Sequence, residues 1–271
     1  MYVKLSKKFI TNNILIHLNP EHLGRKPKVP FWRVIKAIIY RLKTGCQWRE
    51  LPVSVFCDKV LISWQTVYYY FNKWSKQGLW QKVWHQILSD NKTRLDLSSI
   101  ELDGRHTPTK RGGIAVGYQS RKKAKTTNAL FVTDKEGIPL VMSEPVAGNH
   151  NALFDIENQF KKRRSDMQAI GLETDGLFMN AAAGFDSKDF RKYCNQNGII
   201  DNIDSNKRNA KTIEYEYLLD DKLYKERFAV ERTNAWIDAF KALLIRFETR
   251  VDTWQALHYL AFSIIFIRKH F

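Results

Sequence analysis

Ser99-Ile100-Glu101-Leu102-Asp103-Gly104 reads as a short β-strand that ends in an acid and a glycine. A carboxylate at that point would project into the crevice at the carboxyl edge of a sheet, where α/β proteins place ligands. The residues that follow extend the pattern. Residues 128–133 are apolar and β-branched, Asp134-Lys135-Glu136-Gly137 is a turn, and 138–142 is a second strand, so the pair predicts a hairpin. Residues 151–162 read as a helix, 177–181 as a strand, and 187–196 as a helix opened by Asp186 with Asp189 three residues on. A strand at 199–203, a polar loop or insertion at 204–221, a long helix at 223–248 and a last helix at 254–268 complete the chain.

The order is strand, hairpin, helix, strand, helix, strand, long helix. It predicts an α/β protein with a mixed sheet and helices on its faces, and it is the order of the ribonuclease-H-like fold. Upstream the texture is different. Phe31, Val34, Ile35, Ile38, Ile39 and Leu42 form one helical stripe, ended by Gly45. Ser63 is placed to cap a second helix whose apolar face is Val67, Tyr70, Phe71 and Trp74, and Gly78 separates it from a third over 79–88. A basic, proline-punctuated linker, Arg25 to Pro30, precedes them. Six of the eight tryptophans lie in this helical part, read first as core packing of a small domain and second as base stacking. Short helices with basic outer faces suit a helix-turn-helix-like module. The division expected is 1–95 as a helical DNA-binding domain and 96–271 as a ribonuclease-H-like catalytic domain.

Charge supports that division. The net charge is +16 over 271 residues, which points to a polyanionic partner. Residues 1–95 hold 17 Lys+Arg and 4 Asp+Glu, a net of +13, whereas 96–271 hold 27 and 24, a net of +3. Cys46, Cys57 and Cys194 are odd in number and far apart, which argues against a disulfide framework and for a reducing compartment. Residues 1–10 have no signal-peptide apolar core, and the greasiest run, 254–267, is shorter than the ~20 residues of a membrane span. The expectation is a cytoplasmic, nucleoid-associated protein with no membrane partner and no small-molecule substrate.

Two features carry chemistry. Between Gly104 and Thr133 there are seven basic residues, Arg105, Lys110, Arg111, Arg121, Lys122, Lys123 and Lys125, and no acid. One carboxylate, Asp103, followed by cations suits a place where a metal and a phosphate backbone meet; the plainer reading is a turn aspartate before a solvated loop. Tyr224, Arg227 and Glu231 stand at i, i+3 and i+7, on one helix face. Such a face can bind a phosphate and hold a metal, or can simply pair ions.

Several motifs in order resemble the DDE transposases of bacterial insertion sequences. Glu101-Leu102-Asp103-Gly104-Arg105-His106-Thr107-Pro108 with Lys110-Arg111-Gly112-Gly113 is similar to their first-aspartate region. Lys123-Ala124-Lys125-Thr126-Thr127-Asn128, Gly148-Asn149-His150 and the Tyr224, Arg227, Glu231 signature fit the same family, as do Asn234-Ala235-Trp236, Phe240-Lys241-Ala242-Leu243 and Arg246-Phe247-Glu248-Thr249. Trp48-Arg49-Glu50-Leu51-Pro52 resembles the helical segment before the core. The resemblance spans roughly residues 20–270. It implies binding of terminal inverted repeats, then Mg²⁺-dependent strand cleavage and strand transfer, with Mn²⁺ as a substitute ion, on double-stranded DNA, by a homodimer. It also implies that Asp103 and Glu231 are the first and third of three metal-binding carboxylates, with Tyr224, Arg227 and the basic run on DNA.

The second carboxylate is absent. Relatives read Asn-Ala-Asp, a variable residue, then Gly-Phe-Asp; this chain reads Asn180-Ala181-Ala182-Ala183-Gly184-Phe185-Asp186, so Ala182 occupies the catalytic position. Asp186 reads as a helix cap and Asp175 as a turn residue, so neither replaces it. Ala152 also stands where relatives often carry an acid. The chain is therefore expected to be impaired in chemistry. Two alternatives are a domesticated DNA-binding repressor, which Ala182 favours, and a ribonuclease-H-like nuclease without strand transfer.

Overall fold

A computed structural model describes residues 6–18, 29–57, 62–206 and 219–271. Residues 25–28 of the expected linker and 207–218 of the expected loop lie outside them. The longer helices are α1 (Phe31–Thr44), α2 (Trp64–Lys76), α3 (Leu79–Asp90), α4 (Ile156–Ala169), α5 (Lys188–Gln196), α6 (Phe228–Asp238) and α7 (Val251–His270). The strands are β1 (Ile100–Pro108), β2 (Gly117–Gln119), β3 (Ala124–Asp134), β4 (Pro139–Met142), β5 (Val146–Ala147), β6 (Phe178–Ala181) and β7 (Ile200–Ile203).

They form two compact units, one running to Ile87 and taking in Ile237–Lys269, the other comprising Leu88–Trp236. The compact units thus differ from a single division at residue 95, because α7 belongs with the first helices. The physical reason is burial. Nearly every residue from Thr253 to Ile267 is buried, and a helix that is apolar all round needs partners on every side. Trp84 meets Phe262 and Phe266 edge to face, with centroids 5.9 Å apart in both pairs.

In this first unit the stripe on α1 is buried as read, with Val34, Ile35, Ile38 and Leu42 fully enclosed. Gly45 ends α1 in the left-handed region, φ 67°, and a side chain there would press on the Lys241 backbone at 3.1 Å. Trp74, Trp80 and Trp84 are core residues. Ser63 stands at the start of α2 but its hydroxyl makes no capping bond to the backbone; it lies 3.4 Å from the Thr66 hydroxyl.

The second unit is a seven-stranded sheet. β1 lies at its centre, antiparallel to β3 and parallel to β6, and β6 is parallel to β7. Along the other edge of β3 run β2, β5 and β4. The order β4-β3-β1-β6-β7, with an antiparallel meander followed by two parallel strands, is that of the ribonuclease-H-like fold. The hairpin β3–β4 is held by the buried Asp134, whose carboxylate accepts from the Glu136 and Ile138 amides at 3.0 and 2.7 Å. β6, α5 and β7 make a β-α-β unit, as parallel neighbours require.

Four elements differ from their sequence reading. β1 does not stop at Gly104 but runs to Pro108, paired along its whole length with β3. The helix expected from 151 begins at Ile156, because Asp155 takes a left-handed φ of 52°. Asp186 does not cap α5; Ser187 does, accepting from the Phe190 amide at 3.1 Å. The long helix expected over 223–248 is broken into a turn at Asp221–Tyr224, a 3-10 turn at Lys225–Arg227, α6, and a final turn at Lys241–Leu244.

Candidate active site

Asp103 lies within β1, not at its end. It is, however, the first residue past the point where the parallel pairing with β6 stops, since the last pair is Leu102 with Ala181. Ala182 follows Ala181 directly, in extended conformation (φ −67°, ψ 157°). Ala182 is therefore one step past the end of β6, at the level of Asp103 on β1. This is the crevice at the carboxyl edge of the parallel part of the sheet.

The helical segment after β7 carries Tyr224, Arg227 and Glu231. Asp220 starts it, accepting from the Leu223 amide at 2.9 Å, and its own amide donates to Asn202 on β7 at 2.9 Å. Arg227 lies over the Tyr224 ring, 5.6 Å from its centroid, and its guanidinium is 3.9 Å from the Glu231 carboxylate. The Glu231 side chain is 61% exposed, so it is available to a ligand. From the opposite side the hairpin turn fixes α6: the Thr233 hydroxyl donates to the Gly137 carbonyl. Gly137 has φ 83°, and a side chain there would meet the Ala229 carbonyl at 2.7 Å.

The Asp103 carboxyl feels the charges of both Arg227 and Glu231. Burial pushes the Asp103 carboxyl up; the Gly104 amide and Arg227 pull it back, Glu231 raises it further, and a bond from Asn234 lowers it. Asn234 also accepts from Arg105, whose Nη1 is 3.2 Å from its Oδ1 and 3.3 Å from its carbonyl. Asn234 was not among the site residues expected from sequence. Its spacing, three residues after Glu231 and seven after Arg227, places it on that same face and could have marked it.

Lys110, Arg111, Arg121, Lys122, Lys123 and Lys125 are all exposed, around the end of β1, β2 and the start of β3. Arg121 and Lys122 lie close enough to His106 to depress its ring pKa, though burial is the larger cause. Arg105 is the exception in the run, turned toward Asn234. The two acids weighed as substitutes for Ala182 both pair with arginines. Asp186 is 2% exposed, 2.9 Å from Arg191, and accepts from the Asn206 amide at 2.8 Å. Asp175 pairs with Arg164 at 2.6 Å. Ala152 lies beside the same turn, 3.6 Å from where a Gly184 side chain would start.

A divalent ion fits the chemistry of this donor set. Two carboxylates of like charge, one of them half-buried, supply hard oxygens, and Mg²⁺ is commonly held by one or two carboxylates with water and phosphate completing its shell. Among the described residues no cluster of three or more His, Cys, Asp or Glu side chains is assembled.

Two residues before Asp103, on the same face of β1, Glu101 is fully buried. Its Oε1 accepts from Asn180 at 3.0 Å and Ser99 at 3.2 Å, while Oε2 has no partner among the described residues. Burial pushes this carboxyl to about 7, against an ordinary 4.5. A carboxyl whose folded pKa is raised favours the folded state while protonated. That contribution is complete below the unfolded value and is lost as pH rises through the folded one. Stability should therefore fall between about pH 5 and pH 8, by on the order of 2–3 kcal/mol from this group. Glu101→Gln should flatten that slope in melting curves taken across the range; an unchanged slope would place its origin elsewhere.

The order and register of the strands place this chain in the class of ribonuclease-H-like folds. Residues 11–84, about a quarter of the chain, match the family model described as "Putative transposase of IS4/5 family (DUF4096)". Among solved structures, the chain is similar to "Mos1 transposase paired-end complex with left transposon end" (TM-score 0.31, 13% identity, 88% of this chain and 77% of that one). It is also similar to "Crystal structure of the Mos1 Strand Transfer Complex" (0.30, 12%, 88% and 77%) and "Crystal structure of a pre-cleavage Mos1 transpososome" (0.26, 11%, 91% and 80%). No curated protein matches the chain. The class assignment is carried by the order and register of the strands, not by these weak likenesses. No helix among the described residues is long and apolar enough to cross a membrane.

Proposed function

We propose that the chain is a DDE-type transposase of an insertion sequence, with residues 1–95 binding the terminal repeats of double-stranded DNA and the sheet unit performing strand cleavage and transfer as a homodimer. The observation that carries this reading is that the Asp103 carboxyl feels the Arg227–Glu231 pair, in a chain whose run from Gly104 to Thr133 holds exposed cations and no acid. The match of residues 11–84 to the insertion-sequence family supports it. Asp103 and Glu231 would hold Mg²⁺, or Mn²⁺ in its place, and a bound ion would stabilise charge developing on the attacked phosphate. Arg227, over Tyr224, would hold a phosphate oxygen, and Arg105 is held by Asn234. Lys110, Arg111, Arg121, Lys122, Lys123 and Lys125 would follow the backbone of the DNA.

The chain as it stands is weakened in cleavage because Ala182 supplies neither charge nor oxygens. That same alanine favours a second reading, a DNA-binding repressor that has lost its chemistry. The two share DNA binding and differ in what Ala182→Asp does.

The DNA-binding part is tested by the salt dependence of duplex affinity for the whole chain. The whole chain is the appropriate sample, since α7 completes the first helical unit. Each neutralised phosphate contributes about −0.9 to the slope of log K against log salt. Replacing Arg121, Lys122 and Lys123 together by alanine should make the slope shallower by up to about 2.7. No duplex binding at low salt, or binding indifferent to salt, would contradict the proposal.

A further inference from the structure

A row of buried polar side chains crosses three strands of the sheet. Glu101 on β1 is the register partner of Asn180 on β6, and Asn180 is the register partner of Asn202 on β7, so all three project from one face. All three are buried. The Asn180 amide donates to Glu101 Oε1 at 3.0 Å, and the Asn202 amide donates to Asn180 Oδ1 at 2.7 Å. Asn202 also grips the backbone of Asp220 twice, accepting from its N–H at 2.9 Å and donating to its carbonyl at 3.2 Å. From the Asp220 amide to Glu101 each donor points the same way along the row, an arrangement in which hydrogen bonds polarise one another. At the other end the buried Ser99 hydroxyl lies between Glu101 Oε1 at 3.2 Å and Glu226 Oε2 at 3.4 Å.

The two ends of this row meet the two ends of one segment. Asp220 opens it: its carbonyl accepts from the Tyr224 amide at 2.7 Å and its carboxylate from the Leu223 amide at 2.9 Å. Glu226 closes it, one residue before Arg227, and β6 packs against the Lys225–Arg227 turn. Leucines in the row would be buried at lower cost, since each polar group taken from water must find a partner. What hydrogen bonds add is direction, which apolar contacts lack. We infer that Glu101, Asn180 and Asn202 are positioning residues: their row of side-chain bonds fixes the segment Asp220–Glu226, and through it the placement of Arg227 and Glu231 relative to Asp103. The inference rests on the reading of Asp103 and Glu231 as one ion site, and adds what holds Glu231 in place.

The test is Asn202→Leu, which keeps a similar volume and removes both bonds to Asp220. Two measurements on the whole chain read it: amide hydrogen exchange, and Mn²⁺ affinity from the electron paramagnetic resonance of the free ion. Exchange at Asp220, Leu223 and Tyr224 should speed up by about tenfold, while the amides that pair β1 with β3 keep their rates, and Mn²⁺ should bind about tenfold more weakly. Glu101→Gln keeps an accepting oxygen for Asn180 and should leave exchange in the segment within about twofold, whereas Glu101→Leu should speed it. Should Asn202→Leu melt too low to assay, Ser99→Ala, which loses one hydroxyl, should speed exchange at Glu226 and Arg227 by about threefold and spare β1 and β3. A rise spread evenly over the sheet, as general loss of stability gives, overturns the inference. So does no rise, or a local rise with Mn²⁺ affinity unchanged. If the unaltered chain takes up no Mn²⁺, the ion-site reading falls, and the exchange pattern alone decides the row: a local rise supports it and an even one overturns it.

Discussion

Ala182→Asp is expected to raise Mg²⁺-dependent cutting of duplex DNA by about 10²-fold or more over the unaltered chain. The residue sits one step past the Leu102–Ala181 pair, so a carboxylate there would face the same crevice as Asp103. It would add a fixed negative charge and two oxygens where water can offer neither fixed charge nor fixed geometry. Folding should change little. The position is half-buried and extended, and the added acid would enter beside Asp103, whose carboxyl already feels Glu231, so a small loss of stability without metal is the expected sign. Adding Asp103→Ala to Ala182→Asp should return activity to background. Strong cutting by the unaltered chain would mean another acid serves. Silence of Ala182→Asp on DNA flanking its own gene would favour the repressor.

Glu248→Ala is expected to cost about 3–5 kcal/mol of stability, although it lies far in sequence from the acid pair. Glu248 is held by Arg41 of α1 at 2.6 Å, and both side chains are under a tenth exposed. Arg41 Nε and Nη1 and Glu248 Oε2 have no hydrogen-bond partner among the described residues, so the pair depends on its single close contact. Removing the acid leaves a guanidinium buried and uncompensated, stacked 5.2 Å over the Trp48 ring. Arg41→Met with Glu248→Met should cost far less than either change alone, since a buried pair replaced by apolar groups of similar volume is often near neutral. Urea denaturation of the four proteins gives the cycle. A loss near 1 kcal/mol for Glu248→Ala would show the site to be wetter than described.

That pair also shows what could be read from sequence and what could not. Arg246-Phe247-Glu248-Thr249 was legible as a motif, yet its work is structural. Arg246 is fully buried, donates to the Glu248 carbonyl at 2.8 Å and lies 5.5 Å from the Trp254 ring. The α1 stripe, the β3–β4 hairpin and the strands at 178–181 and 200–203 were legible because each carries its own periodicity or turn residues. The full length of β1 was not, since Arg105 to Pro108 are held extended by pairing with β3, a long-range cause. Nor was the break at Phe240, which lies in a run of good helix formers. Asp186 looked like a cap because a cap needs only local sequence; Arg191, five residues on, pulls it inward instead. At the site, the Tyr224, Arg227 and Glu231 spacing predicted their shared face, while the closeness of Glu231 to Asp103, over a hundred residues earlier in the chain, comes only from the fold.

The central claim is that Asp103 and Glu231 form one divalent-ion site. Its most direct test is the anomalous scattering of crystals of the protein soaked in Mn²⁺. The account predicts a peak between the two carboxylates, with oxygens of both at about 2.1–2.2 Å, the distance of hard-ion bonds. No peak there, with the carboxylates held farther than about 5 Å apart, beyond the span of two such bonds, would contradict it.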